Sequence, residues 1–278
     1  MILGTLLVCV VTVSLVTSAS AQRPPPRPTA DSLNVTQVGS IVLTEDGIVT
    51  DLYVAGNHAY VGSAENILYI VDISDPANLR LAAEVTTEGP ALDVKVAGNL
   101  VVVGGASGVT VIDISEPSSP QILSQIPVAA HNLFLYKDRA YIAHTGRPGA
   151  SVLDLSDPSL PVISGHWHND DPEFSDTVHD IFIRDDIALI CDYSSHLDFS
   201  GDGGLVIMDL ADPDNPVTIS SVAIPKGVHS AWWEGDHVYL SQQFGSWYRL
   251  LHVIDMSDPR RPVATATFKA RPPPLEPI

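Results

Sequence analysis

Cysteine is almost missing from this chain, with two in 278 residues, and one of them, Cys9, sits in an apolar N-terminal stretch. Once that stretch is removed Cys191 stands alone, which excludes an intrachain disulfide framework. Basic residues are scarce too: 14 Lys and Arg face 33 Asp and Glu, for a formal charge of −19. That balance argues against nucleic acid and anionic membrane as partners and suits cations or basic surfaces. No run after residue 22 is long and apolar enough to span a bilayer, so the mature chain has no expected transmembrane segment. Nor does a glycine-rich loop precede a helix, which argues against nucleotide chemistry.

The two ends read differently from the middle. Residues 2–18 are almost wholly apolar or hydroxylic, and Ala19-Ser20-Ala21 before Gln22 has the small-x-small form of a signal-peptidase site, so residues 1–21 are expected to be a signal peptide. Its n-region carries no Lys or Arg, and an uncleaved anchor is the weaker alternative because the apolar run is short. Residues 22–35 and 271–278 are proline-rich and read as an extended linker and tail. Residues 36–270 are left as one domain.

That domain is repetitive. Val71-Asp72-Ile73-Ser74-Asp75-Pro76 returns, with variation, at residues 112–117, 153–158, 208–213 and 254–259. The aspartates Asp72, Asp113, Asp154, Asp209 and Asp255 mark a period of about 40 to 50 residues built of short strands, which predicts a β-propeller with one four-stranded blade per repeat. Five blades are expected; a six-bladed ring would need an irregular blade drawn from the N-terminal and insert segments. In the second copy the strands are residues 92–96, 101–104, 109–114 and 121–126, with a continuous apolar run in the third, as for a strand buried on both faces. Gly56-Asn57, Gly98-Asn99 and Gly235-Asp236 supply hairpin residues that tolerate positive φ, replaced by Lys137-Asp138 and Asp185-Asp186 in copies three and four. The recurring Ser-Asp-Pro reads as a strand terminator, its Asp bonding amides of its own turn, and not as a hydrolase triad. Residues 37–44 resemble the last strand of a blade and are expected to close the ring by pairing within the C-terminal blade.

These copies resemble the LVIVD repeat. The stretch from Val178-His179-Asp180 through Cys191-Asp192 to His229 and residues 232–240 is similar to the choice-of-anchor B family of exported bacterial propellers. The resemblance implies an exported, surface-associated propeller, in the periplasm, at the cell surface or outside the cell, and implies no reaction. Family members are usually longer, with a C-terminal anchoring segment in place of this proline-rich tail.

What differs among the copies bears on function. Aligning the first strands gives Thr50-Asp51, Leu92-Asp93, His131-Asn132, His179-Asp180 and His229-Ser230. Three equivalent histidines at the channel mouth form a candidate site for Zn, Cu or Fe, with Asp51, Asp93, Asn132 and Asp180 as acceptors orienting the imidazoles. The bland alternative is that each His bonds backbone carbonyls at the rim. His144, His166, His168 and His196 crowd the same half, as do two insertions at 169–177 and 194–204, so a binding face over blades three to five is expected, with Asp180, Asp192, His196 and Trp232 on it. Trp232, Trp233, Trp247 and Tyr248 are candidates for a ligand platform or for interblade core. A second metal candidate is Asp198, Ser200, Asp202 and Asp209, at positions one, three, five and twelve of a calcium loop; the competing reading is a polar turn whose Asp209 belongs to the repeat. Cys191 reads as a buried strand residue.

Two functions follow. The first is an exported, non-enzymatic, monomeric propeller that binds an unidentified protein or small molecule. The second is a metal-dependent hydrolase or oxidoreductase using His131, His179 and His229 with Asp180 or Asp192 as general acid or base.

Overall fold

The computed structural model of the chain describes residues 36–44, 47–144, 148–168, 177–193, 203–244 and 248–269. The expected signal peptide, the proline-rich linker and tail, Asp198, Ser200, Asp202, His196 and Trp247 lie outside them.

Five four-stranded antiparallel sheets follow one another along the chain. Blade 1 is β1 (Val49–Ala55), β2 (His58–Ser63), β3 (Ile67–Asp72) and β4 (Arg80–Thr86). Blade 2 is β5 (Asp93–Ala97), β6 (Leu100–Gly104), β7 (Val109–Asp113) and β8 (Gln121–Ile126). Blade 3 is β9 (Ala130–Tyr136), β10 (Arg139–His144), β11 (Ala150–Asp154) and β12 (Val162–Trp167). Blade 4 is β13 (Val178–Arg184), β14 (Ile187–Asp192), β15 (Gly203–Asp209) and β16 (Val217–Ile224). Blade 5 is β17 (Ser230–Glu234), β18 (His237–Phe244), β19 (Tyr248–Asp255) and β20 (Val263–Lys269). The sixth blade held open by the sequence does not form among the described residues.

The repeat motif does the same work in each blade. Asp72 Oδ1 accepts the Ser74 N–H at 2.9 Å, and Asp113, Asp154, Asp209 and Asp255 accept the N–H of Ser115, Ser156, Ala211 and Ser257. The side chains of Ser74, Ser115 and Ser257, and then these backbone bonds, hold the carboxyls of Asp72, Asp113 and Asp255 below the usual carboxylate range. The aspartates before the prolines bond their own turns, as expected: Asp75, Asp157, Asp212 and Asp258 accept the N–H of Ala77, Ser159, Asp214 and Arg260. Two-residue hairpins join the first and second strands, and the left-handed φ expected there is found at Gly56, Gly98 and Gly235, and at Lys137, Asp185 and Asp186. Every blade also carries a register shift between its third and fourth strands, at Ile70/Val71, Val111/Ile112, Val152/Leu153, Ile207/Met208 and Val253/Ile254. A bulge repeated at one place sharpens the twist of each outer strand.

Burial lies between blades. One face of each sheet, such as Tyr60, Leu68, Ile70 and Val85 of blade 1, packs on the opposite face of the next, here Val94, Val101, Val103 and Ile112. The pattern continues from blade 2 to 3, 3 to 4 and 4 to 5. At about 1.5 to 3 kcal/mol per fully buried Val, Leu or Ile, these four layers are the main source of stability.

The ring does not close as the sequence suggests. Residues 37–44 form no strand with blade 5, because β20 already fills the outer position there. Ile41 and Leu43 instead pack on the free face of blade 1, over Ala59, Val61, Tyr69 and Val71. Gly39 lies so close to the Pro76 carbonyl that a Cβ would sit 2.0 Å from it. Packing of the innermost strands runs from β1 through β5, β9 and β13 to β17.

Candidate functional site

The heads of β1, β9 and β13 depart from regular pairing. Val178 pairs Asp192 and Asp180 pairs Cys191, which leaves His179 as the extra residue of a bulge. His131 stands the same way between Ala130, opposite His144, and Asn132, opposite Ala143. A bulge turns its side chain out of the alternating faces, and here it brings the two imidazoles together. His229 enters just before β17, its N–H bonded to the Ser241 carbonyl at 2.8 Å.

The three aligned histidines therefore meet, as their spacing suggested. His131 Nε2 lies 3.0 Å from His179 Nε2. The His229 ring lies on that of His179, centroids 3.9 Å apart at 40°, and Tyr193 stands beside both, 5.3 and 6.1 Å away. Burial, and then the nearby His131, hold the His229 pKa below its usual value, which favours a neutral ring. Among the described residues, no group of three or more His, Cys, Asp or Glu side chains is placed to hold a metal ion. Two nitrogens converge and the third ring stacks.

In the next tier, sequence reasoning named Trp232 and missed Phe134 and Phe182. Phe134 and Phe182 rings are 5.5 Å apart, and Phe182 meets Trp232 edge-on at 5.4 Å. The signal was in plain view as a His-x-x-aromatic spacing: His131 to Phe134, His179 to Phe182, His229 to Trp232. Blades 3 to 5 thus present a wall of imidazoles at the strand heads with aromatic rings one step along. In blades 1 and 2 the equivalents are Thr50 with Tyr53 and Leu92 with Lys95.

The acidic neighbours do other work than orienting imidazoles. Asp51 accepts the Val94 N–H (2.8 Å), Asp93 the Leu133 N–H (2.7 Å), and Asp180 the N–H groups of Ala231 (3.3 Å) and Ile181 (2.9 Å). Each reaches the innermost strand of the next blade. They are clips between blades, with Asn132 joined to the Asp180 carboxyl. Burial pushes Asp93 up to about 7, against the pull of Lys95, and Asp180 up to about 6. Asp192 is likewise buried and accepts the Thr177 N–H at 3.1 Å.

The remaining candidates scatter. His144 and His166 do not join the mouth: both bond Ser151 Oγ, at 2.7 and 2.9 Å, within blade 3. Trp233 is buried, with the Arg184 guanidinium 4.0 Å over its ring, while Trp232 is 60% exposed. Cys191 is fully buried, which raises its thiol pKa and makes it inert. Of the calcium set only Asp209 is described, and its carboxylate serves the repeat turn.

Similar solved structures share this architecture. A functionally unknown protein from Desulfotomaculum acetoxidans superposes with a TM-score of 0.67 at 11% identity, over 83% of this chain and 72% of that one. The computationally designed Ika8 protein gives 0.59 at 15%, over 81% and 62%, so the chain spans less than two thirds of it. The β-propeller domain of Cps50 (Swd1) from Myceliophteria thermophila gives 0.53 at 12%, over 81% and 76%. At such identities the likeness establishes the fold alone. No curated protein matches the chain. The LVIVD repeat matches residues 46–87, 88–126, 129–168 and 200–224, more than half of the chain and all of its first three blades, and with the five-bladed sheet order this places the protein in the LVIVD repeat family.

Proposed function

We propose that this chain is an exported, non-enzymatic binding propeller that takes its ligand or partner against the His-x-x-aromatic wall of blades 3 to 5. The observation that carries the reading is the unbroken contact from His131 through His179 to His229, with Phe134, Phe182 and Trp232 on the same three strands. Imidazoles offer donors and acceptors, aromatic rings offer stacking surface, and binding sites combine the two. Export rests on the N-terminal stretch and suits a surface-associated or periplasmic role.

Trp232 supplies the readout. Titrating a library of small aromatic acids and amines should quench tryptophan emission for a subset of compounds. That subset should be lost in the His131→Ala, His179→Ala, His229→Ala variant. Quenching that survives in the variant would end this reading.

One distance favours a second reading, a metal site with associated hydrolytic or oxidative chemistry. Two imidazoles on one tetrahedral Zn stand about 3.3 Å apart, given Zn–N bonds of about 2.0 to 2.1 Å, and His131 and His179 Nε2 are separated by 3.0 Å. Opening the pair by a few tenths of an ångström would admit Zn, Cu or Fe. Asp180 and Asp192 fit a general acid or base role poorly, since both carboxylates accept backbone N–H groups. Elemental mass spectrometry on protein prepared without chelators or a His tag separates the two. Near-stoichiometric metal that disappears in the triple variant supports the metal site, and metal below a tenth of an equivalent in both proteins rejects it.

A further inference from the structure

An equivalent position stands near the end of each second strand: Ser63, Gly105, His144, Asp192 and Gln242, two residues past Val61, Val103, Ile142, Ile190 and Leu240, which hold matching places in their hairpins. Its backbone does one job in blades 1, 2 and 4. The carbonyls of Ser63, Gly105 and Asp192 accept the N–H of Ala91, Ala130 and Val228, at 2.9, 2.9 and 3.0 Å, one residue ahead of Leu92, His131 and His229. That bond docks the next blade's innermost strand.

Its side chain divides the blades. In blade 3, His144 Nδ1 donates to the Ala129 carbonyl at 3.2 Å. In blade 4, Asp192 Oδ1 accepts the Thr177 N–H at 3.1 Å. In blade 5, Gln242 Nε2 donates to the carbonyls of Gly227 and Pro225, at 3.0 and 2.7 Å. Ala129, Thr177 and Gly227 each lie two residues ahead of an aligned histidine, His131, His179 or His229. All three gripping side chains are buried. Among the described residues, blades 1 and 2 have no such bond: Gly105 has no side chain, and Ser63 Oγ accepts the Ile67 N–H of its own blade.

We infer that His144, Asp192 and Gln242 are positioning residues for the three imidazoles, each fixing the peptide that leads into a histidine-bearing strand head; their use in recognition rests on the binding reading above. The physical reason is pairing. His131 and His179 are bulge residues and His229 stands ahead of β17, so the regular ladder does not fix their approach. A buried side-chain bond to the peptide two residues earlier supplies that restraint. A ring held in place before its ligand arrives loses less freedom on binding.

Two of the grips are braced from the outer strands. A carbonyl can only accept, so His144 Nδ1 carries the proton; the neutral ring then accepts the Ser151 hydroxyl at Nε2 (2.7 Å), and Ser151 Oγ accepts from His166 Nδ1 (2.9 Å). In blade 5 the Gln242 amide nitrogen faces two carbonyls, so Gln242 Oε1 accepts from His252 Nε2 (3.3 Å), and His252 Nδ1 accepts the Thr267 hydroxyl (3.0 Å). Both chains donate inwards and end on a carbonyl at a strand head. They require opposite tautomers, Nδ1–H at His144 and Nε2–H at His252.

Nitrogen NMR of the histidine side chains in the full chain tests the assignment without a ligand. In alkaline buffer the parent should show those two tautomers, and a coupling between His131 Nε2 and His179 Nε2 through their 3.0 Å contact. His144→Leu and Asp192→Ala should lose the coupling. His144→Gln, which gives blade 3 the donor that blade 5 already uses, and Asp192→Asn, which keeps an acceptor for Thr177, should retain it. Ser63→Ala, at the same position in a blade without the histidine, should leave it unchanged. For a compound that quenches Trp232, Kd should rise about tenfold in His144→Leu and return in His144→Gln. The other tautomer at either ring, no coupling in the parent, a coupling kept in both His144→Leu and Asp192→Ala, or one lost equally in the two conservative variants would each overturn the assignment. The tautomers decide the case even where a truncated variant fails to fold. A coupling that follows the grips while no compound quenches would uphold the positioning role and end the binding reading instead.

Discussion

Blades 1 and 2 and blades 3 to 5 share one scaffold and differ at the heads of their innermost strands. Both groups have the Asp-bonded turn, the outer bulge and the interblade layers. At the strand heads, the first group places Thr50 and Leu92 where the second places His131, His179 and His229. Residues that every copy keeps hold the fold, and those that one group alone carries are where chemistry can enter. The clips follow the first rule in blades 1, 2 and 4, although they look like the second.

The strongest way to break this division is to remove a clip. Asp93→Ala strands the buried Leu133 N–H and leaves the Lys95 ammonium only the Asp51 carboxylate, 3.7 Å away, so a loss of about 3 kcal/mol in urea unfolding is expected. Asp93→Asn keeps an acceptor for Leu133 and should lose much less. The same pair sharpens the pH behaviour. Asp93 and Asp180 have folded pKa values raised to about 7 and about 6, so the folded state holds their protons more tightly than the unfolded chain. Their contribution is present below about pH 4 and lost as pH rises to about 7. His229, lowered in the fold, acts oppositely: its contribution is present above the ordinary histidine value of 6.5 and lost as pH falls through it toward the folded pKa. Urea midpoints from pH 4 to 8 should therefore fall less steeply toward neutrality in Asp93→Asn than in the parent, and parallel curves would refute the assignment.

Smaller effects test the rest. Thr50 donates its hydroxyl to the Ala91 carbonyl across to blade 2, so Thr50→Ala should cost about 1 kcal/mol. His229→Ala in the second group should change stability by no more than about 1 kcal/mol while removing ligand-dependent quenching. The least change is expected from Lys137→Ala. Its ion pair with Asp186 links blades 3 and 4 at 2.5 Å but is exposed on both sides, a class contributing about 0 to 1 kcal/mol. A thermal shift of several degrees would show that surface pairs matter more to this propeller than buried clips.

Much of the fold was legible because it is local. Asp72 and Ser74 sit two residues apart, and Gly56 lies between two short apolar runs, so turn and hairpin could be read from neighbours. The meeting of His131, His179 and His229 was legible for a different reason: equivalent positions in a propeller share an axis. The clip was not, since the partner of Asp93 is an N–H 40 residues away and only packing fixes that pairing. Ring closure failed for a related reason. Whether residues 37–44 complete a blade depends on whether β20 has taken the place already, and no local pattern records that.

The clips have a mechanical consequence. Asp51, Asp93 and Asp180 each tie the head of one innermost strand to a backbone N–H of the next blade. A blade that turned about its apolar layer would have to lengthen one of these bonds, so the layers resist sliding at the end where they are thinnest. The separation of His131, His179 and His229 is therefore a preset spacing, held by carboxylates that never touch the rings' own ligand.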